Sequence, residues 1–244
     1  CCDKSSLQAL QLKYAPFGFG LPFGAGFGAD EKDSKNNIMN VYQGGLTLGQ
    51  KEYYLDNDDA TTKIREEYKK YVVRMFRLFG FSWGEATAKM EAIMRIETQY
   101  AIASKSKTEL RDVEKNYNKM SLSDFEKNYP NLRFTQIENA EGVKTEYIQN
   151  LVVGQPEFLA AADKVVAMMT ADELRAVMEW DVINGSTSLL SDEVASASFD
   201  FYGKIISGRK QDYERWKKAT SMVESVLGQA LGKMYCERYF PESS

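Results

Sequence analysis

The apolar residues of this chain change their spacing near Ala60, and that change fixes what the chain can fold into. Before it, Phe17, Phe19, Leu21, Phe23, Ala25 and Phe27 fall on every second position, the period of a strand with one apolar face. The glycines between them mark bulges or close backbone approach. A polar stretch from Asp30 to Asn37 follows, and then Ile38, Asn40 and Tyr42 alternate with Met39, Val41 and Gln43, which predicts a hairpin. From Ala60 onward, Ile64, Tyr68, Tyr71, Val72, Met75, Phe76 and Phe79 recur at spacings of three and four, with Gly80 where a C-terminal cap belongs. The predicted fold class is mainly α: a multi-helix lobe with a small β-hairpin near the N-terminus.

The helical period continues. Ser82 and Glu85 form a capping box for a helix with its stripe through Ala86, Met90, Ile93, Met94, Glu97 and Ala101. Asp112 to Met120 reads as a polar connection, and Ser121 with Asp124 caps a short helix ending before Pro130. Residues 131–150 are the least regular and read as an exposed loop tolerant of insertions. Pro156 suits the first turn of a helix running to Met169, and Thr170 with Glu173 caps the next, through Leu174, Val177, Met178 and Val182. Helical patterns then run from Asp192 to Ile206 and from Gln211 to Tyr239, separated by Ser207, Gly208 and Arg209. The last, about 29 residues, predicts a helix ~43 Å long.

Composition narrows the function. The 244 residues are 43% hydrophobic and 27% charged, the balance of a globular protein, and a chain of this length buries roughly 70 to 75% of its extended surface without disulfides. The net charge of −4, from 31 basic and 35 acidic residues, comes without a basic run to follow a phosphate backbone, so nucleic acid is not a predicted partner. Apolar runs such as Leu151–Val153 and Ala160–Ala162 fall far short of the ~20 residues that cross a bilayer. There is no histidine, which removes the commonest metal ligand and the one side chain that titrates near neutrality unaided.

The candidate chemistry is correspondingly sparse. Glu91 and Glu97 are six apart on one helix and lie on different faces; Glu97 is read as partly buried beside Ile93 and Met94, in a structural hydrogen bond or ion pair. Asp56, Asp58 and Asp59 resemble a calcium loop only faintly, lacking its glycine and terminal glutamate, and are read as helix caps. Gly24, Gly26 and Ala29 fit G-x-G-x-x-G/A, but no helix opens after them. Asn184-Gly185-Ser186 is a glycosylation sequon of no weight outside a eukaryotic secretory setting. Phe199, Phe201, Tyr202, Tyr213 and Trp216 are read as core at helical spacing, and Cys236 as a core thiol. Cys1, followed by Asp3, Lys4, Ser5 and Ser6, suits either a lipidated mature terminus or an arbitrary boundary.

The stretch from Phe199 to Pro241, FDFYGKIISGRKQDYERWKKATSMVESVLGQALGKMYCERYFP, resembles the corresponding region of the neprilysin-like zinc metallopeptidases, which include neprilysin, the endothelin-converting enzymes and bacterial oligopeptidase O. QGGLTLGQKEYYL (43–55), EAIMRIETQYA (91–101), ELRDVEKNYNKMS (109–121), VVGQPEFL (152–159) and LRAVMEWDVI (174–183) follow in the order that family requires. Gly49 stands where many relatives have proline, and Cys236 where valine is common.

The resemblance implies two-lobed, mostly helical endopeptidases whose zinc is held by H-E-x-x-H and a downstream E-x-x-x-D glutamate, with an N-A-[FY]-Y motif gripping the substrate backbone. None of these motifs occurs in the 244 residues; in family order they lie beyond Ser244. The implied organisation is an N-terminal segment over 1–19, a helical lobe over 20–241 and a catalytic domain outside the chain. The implied function is the substrate-enclosing, non-catalytic portion of a zinc metalloendopeptidase acting on oligopeptides. Its partners would be that catalytic domain and short peptides, with zinc as cofactor of the parent enzyme and none here. No catalytic, metal-binding or substrate-binding residue is assigned; Cys1 is the one candidate, for lipidation. The shortage of cysteines favours a bacterial, extracytoplasmic protein of the cell envelope or secreted space. The alternative reading is a stand-alone helical peptide-binding or surface-interaction module.

Overall fold

Asp3 opens the first helix: its carboxylate accepts the Ser6 N–H at 2.8 Å, and α1 (Lys4–Tyr14) follows. The computed structural model describes residues 3–17 and 21–240 and divides into two units, Cys1–Phe201 and Tyr202–Ser244.

The first unit holds the predicted hairpin. Strands β1 (Phe23–Asp30) and β2 (Asp33–Gln43) pair antiparallel from Phe23↔Gln43 onward, so the polar stretch contributes mostly strand and the turn is only Glu31 and Lys32. The alternation seen from Phe17 does not all become strand, because Ala15–Phe17 closes as a 3-10 turn after α1; Phe19 lies outside the described residues. Then come α2 (Glu52–Leu55), α3 (Asp59–Leu78) and α4 (Trp83–Ala103). Asp58 caps α3 by accepting from Ala60 and Thr61 N–H, as read for the acidic cluster, and Gly80 at φ +87 ends it. Ser82 and Glu85 complete the capping box of α4.

The polar connection after α4 contains β3 (Asn118–Ser121), which runs into α5 (Leu122–Asn128), capped by Ser121. Residues 131–150, read as an exposed loop, hold α6 (Phe134–Ala140) and lead into β4 (Asn150–Val153). Leu132, Phe134, Ile137 and Ile148 are all buried in the main core, so this stretch is structure rather than a tolerant loop. Its polar residues masked a turn-rich path that still delivers one apolar side chain per turn inward. The sheet has the order β1-β2-β4-β3, with β2 and β4 parallel and β3 antiparallel to β4.

Helices α7 (Pro156–Met168) and α8 (Ala171–Gly185) follow as predicted, α8 with the Thr170–Glu173 capping box. The 4-stranded sheet and α4, α7 and α8 enclose a core that includes Met39, Val41, Ile96, Leu151, Val153, Phe158 and Leu174. After α9 (Asp192–Ser198) a π-helical segment, Phe199–Ile206, carries Phe201 onto Tyr71, with stacked rings 5.0 Å apart.

The second unit contains α10 (Arg215–Tyr239), 25 residues with non-helical backbone at Leu227, and so is not the single 29-residue rod of the sequence reading. None of its side chains is buried. Cys236 is exposed, and Tyr213 and Trp216 are exposed while Phe201 is core. These corrections share a cause: periodicity identifies the face that favours burial and says nothing of what covers it. The sequon asparagine, Asn184, lies within α8 and accepts from the Tyr71 hydroxyl at 3.0 Å. Among the described residues no helix is long and apolar enough to cross a membrane.

A buried carboxylate beside a cavity

Glu97 lies on the inward stripe of α4, and three other segments bring hydroxyls to it. Tyr54 from α2 donates its hydroxyl to Oε2 at 2.8 Å, Tyr68 from α3 donates at 2.9 Å, and Thr47, in the loop after β2, donates to Oε1. Trp180 of α8 donates its indole N–H to Thr47 Oγ1 at 3.2 Å and to the Tyr68 hydroxyl at 3.1 Å. The Leu48 N–H donates to the Tyr54 hydroxyl at 3.0 Å. Each hydroxyl thus both donates and accepts, which satisfies groups that would otherwise be costly to bury. Burial nonetheless pushes the Glu97 carboxyl up to about 7, opposed by these three hydroxyls and reinforced by the Asp181 charge. Sequence reasoning found Glu97 and its structural role; its partners lie 29 to 50 residues away.

The loop that supplies Thr47 depends on a glycine. Gly45 has φ +74, and a Cβ there would lie 3.1 Å from the Tyr100 ring and 3.3 Å from the Pro22 backbone, so a left-handed turn and a close approach coincide.

Beside this network lies a cavity of about 570 Å³, within the range of small-ligand sites. Glu97, Thr47, Tyr100 and Asp181 contribute to its wall, as do Lys4 of α1 and Arg133 at the start of α6. Sequence analysis singled out neither cation. Lys4 is one of many lysines, and Arg133 lies on no periodic stripe because its backbone is left-handed, φ 52 and ψ 40.

Among the described residues no group of three or more His, Cys, Asp or Glu side chains converges as metal ligands; Glu91 is exposed and apart from Glu97. The described residues do not fit a resident zinc. Cys1 lies outside the described residues.

Comparison with known proteins gives a consistent result. The chain is 27% identical to neprilysin-3 of Drosophila melanogaster over 96% of its length and 31% of that protein's, and 27% identical to human endothelin-converting enzyme 1 over 99% and 31%. The inhibitor complex of the Mycobacterium tuberculosis zinc metalloprotease ZMP1 superimposes with a TM-score of 0.91 at 26% identity, covering 100% of this chain and 37% of that one. PepO from Lactobacillus rhamnosis shares the fold, with a TM-score of 0.83 at 19% identity over 99% of this chain and 38% of its own. The chain spans about a third of the length of these relatives. The amino-terminal model of peptidase family M13 matches residues 3–244, and the chain belongs to that family.

Proposed function

We propose that this chain is the substrate-enclosing, non-catalytic portion of a zinc metalloendopeptidase that hydrolyses oligopeptides. The observation that carries the reading is the match of residues 3–244 to the family's amino-terminal portion by a chain with no histidine. A zinc endopeptidase of this family needs imidazole ligands and a general base, and both are assigned to the catalytic domain of the parent polypeptide. The helical lobe limits access, so that short flexible peptides reach the metal and folded proteins do not. Zinc belongs to the parent polypeptide, whose place is extracytoplasmic, in a bacterial envelope or secreted.

The test is a pair of measurements. The 244-residue chain is expected to bind no stoichiometric zinc at neutral pH, and tight one-to-one binding in a metal titration refutes that part. The longest native polypeptide containing this chain is expected to carry H-E-x-x-H in frame and to cleave short peptides in a chelator-sensitive way. A native gene ending at Ser244 would leave the stand-alone binding module as the reading.

A further inference from the structure

The wall of the 570 Å³ cavity holds two cations, Lys4 and Arg133, that have no counter-anion among the described residues. Lys4 Nζ donates to the Val166 and Ala167 carbonyls, both at 2.8 Å, and Arg133 donates to the Gln8 carbonyl at 3.3 Å and to Gln11 Oε1. All four acceptors are neutral, and among the described residues neither cation takes part in an ion pair. The Arg133 Nε–H is buried without a hydrogen-bond partner. Burial, and then the nearby Arg133 charge, lower the Lys4 ammonium below its usual value. Two partly desolvated like charges side by side are unfavourable unless an anion joins them. Arg133 is also the one non-glycine residue at positive φ among the described residues, and such strain concentrates where a side chain must be held in place for a ligand.

The same cavity carries apolar side chains, among them Ile96, Ile137, Met169 and Leu174. Its acidic groups, Glu97 and Asp181, form no ion pair with Lys4 or Arg133 among the described residues: Glu97 accepts from the hydroxyls of Thr47, Tyr54 and Tyr68. A hydrated inorganic anion would leave the apolar wall unused, and a hydrocarbon would leave the cations unpaired.

We propose that this cavity binds a small amphiphilic carboxylate, its charged end received by Lys4 and Arg133 and its apolar body against Ile96, Ile137, Met169 and Leu174. A guanidinium and an ammonium together offer the planar and point-charge donors a carboxylate accepts, and the apolar side chains of the same wall offer the surface a hydrocarbon body buries. The proposal rests on the cavity alone and is independent of the peptidase reading.

Octanoate is the probe. Calorimetric titration into the full chain at constant ionic strength is expected to show saturable one-to-one binding, with octanamide weaker by about tenfold or more and inorganic phosphate weaker still. Lys4→Gln and Arg133→Gln are each expected to weaken octanoate about tenfold while leaving octanamide unchanged, a difference that a merely structural loss would not give. Absence of saturable octanoate binding overturns the proposal, as does equal affinity for octanamide or phosphate. Should Arg133→Gln fail to fold, Lys4→Gln decides alone, and unaltered octanoate affinity in that variant refutes the site.

Discussion

Glu97 and Asp30 are both buried carboxylates, and their neighbours push them in opposite directions. Asp30, at the end of β1, receives Lys119 Nζ at 2.8 Å, the Tyr117 hydroxyl at 2.7 Å and the Lys32 N–H at 3.0 Å. These partners, Lys119 foremost, hold its carboxyl down to about 2. Its contribution to stability is present above the ordinary carboxylate range and is lost as pH falls toward 2. Glu97 has hydroxyls and no cation, and its carboxyl lies near 7. The folded chain therefore holds a proton that the unfolded chain releases near 4.5, so the Glu97 contribution is present below that value and is lost as pH rises to about 7. The size is on the order of 3 kcal/mol. Glu138, raised to about 7 by burial and then by Glu141, acts in the same direction. Denaturant unfolding between pH 5 and 8 should show Glu97→Gln removing part of this decline, with Glu138 retaining the rest; an unaltered pH profile would refute the assignment. Glu97→Leu should cost about 3 kcal/mol near pH 5, since it strands the hydroxyls of Thr47, Tyr54 and Tyr68, and less toward pH 8, where the parent chain has lost the Glu97 contribution.

At the scale of elements, local signals and tertiary ones separate cleanly. The capping boxes at Ser82–Glu85 and Thr170–Glu173 are legible because every participant lies within three residues. Ser82→Ala and Thr170→Ala should each lower stability by about 1 kcal/mol, measurable as a shift in denaturation midpoint without change of slope. The hairpin was legible for a similar reason, since alternation and turn are contiguous. Neither β3 nor β4 was, because a four-residue strand has too short a period to detect and exists only through its partners. The same holds for α6, which starts after the left-handed Arg133 and lacks a side-chain cap. Phe134 separates the two descriptions: an exposed loop predicts little effect from Phe134→Ala, whereas a side chain only 1% exposed in the core predicts a loss of about 3–5 kcal/mol. At the candidate site Glu97 was foreseen, while Lys4 and Arg133 were not, since no short-range pattern marks an ionic side chain that chain reversals bring to a cavity wall.

For the molecule as a whole, exposed apolar side chains are densest in the second unit. Trp216, Val226, Leu227, Met234, Tyr235, Tyr239 and Phe240 each expose more than half of their surface, a density that marks interaction surfaces. The chain on its own is expected to bind an environment-sensitive dye and to self-associate in sedimentation, and both effects should fade in a longer native polypeptide that supplies a cover. A monomeric, dye-silent chain would count against the proposed missing partner domain. The sheet adds a constraint in time. Met39 of β2 pairs with Leu151 of β4, so during synthesis at about 5–20 residues per second the hairpin emerges roughly 6 to 22 seconds before the strand that completes it. Through that interval β2 presents an open edge, which other chains can pair with, and the nascent protein's safety from aggregation depends on what shields that edge while α3 and α4 form ahead of it.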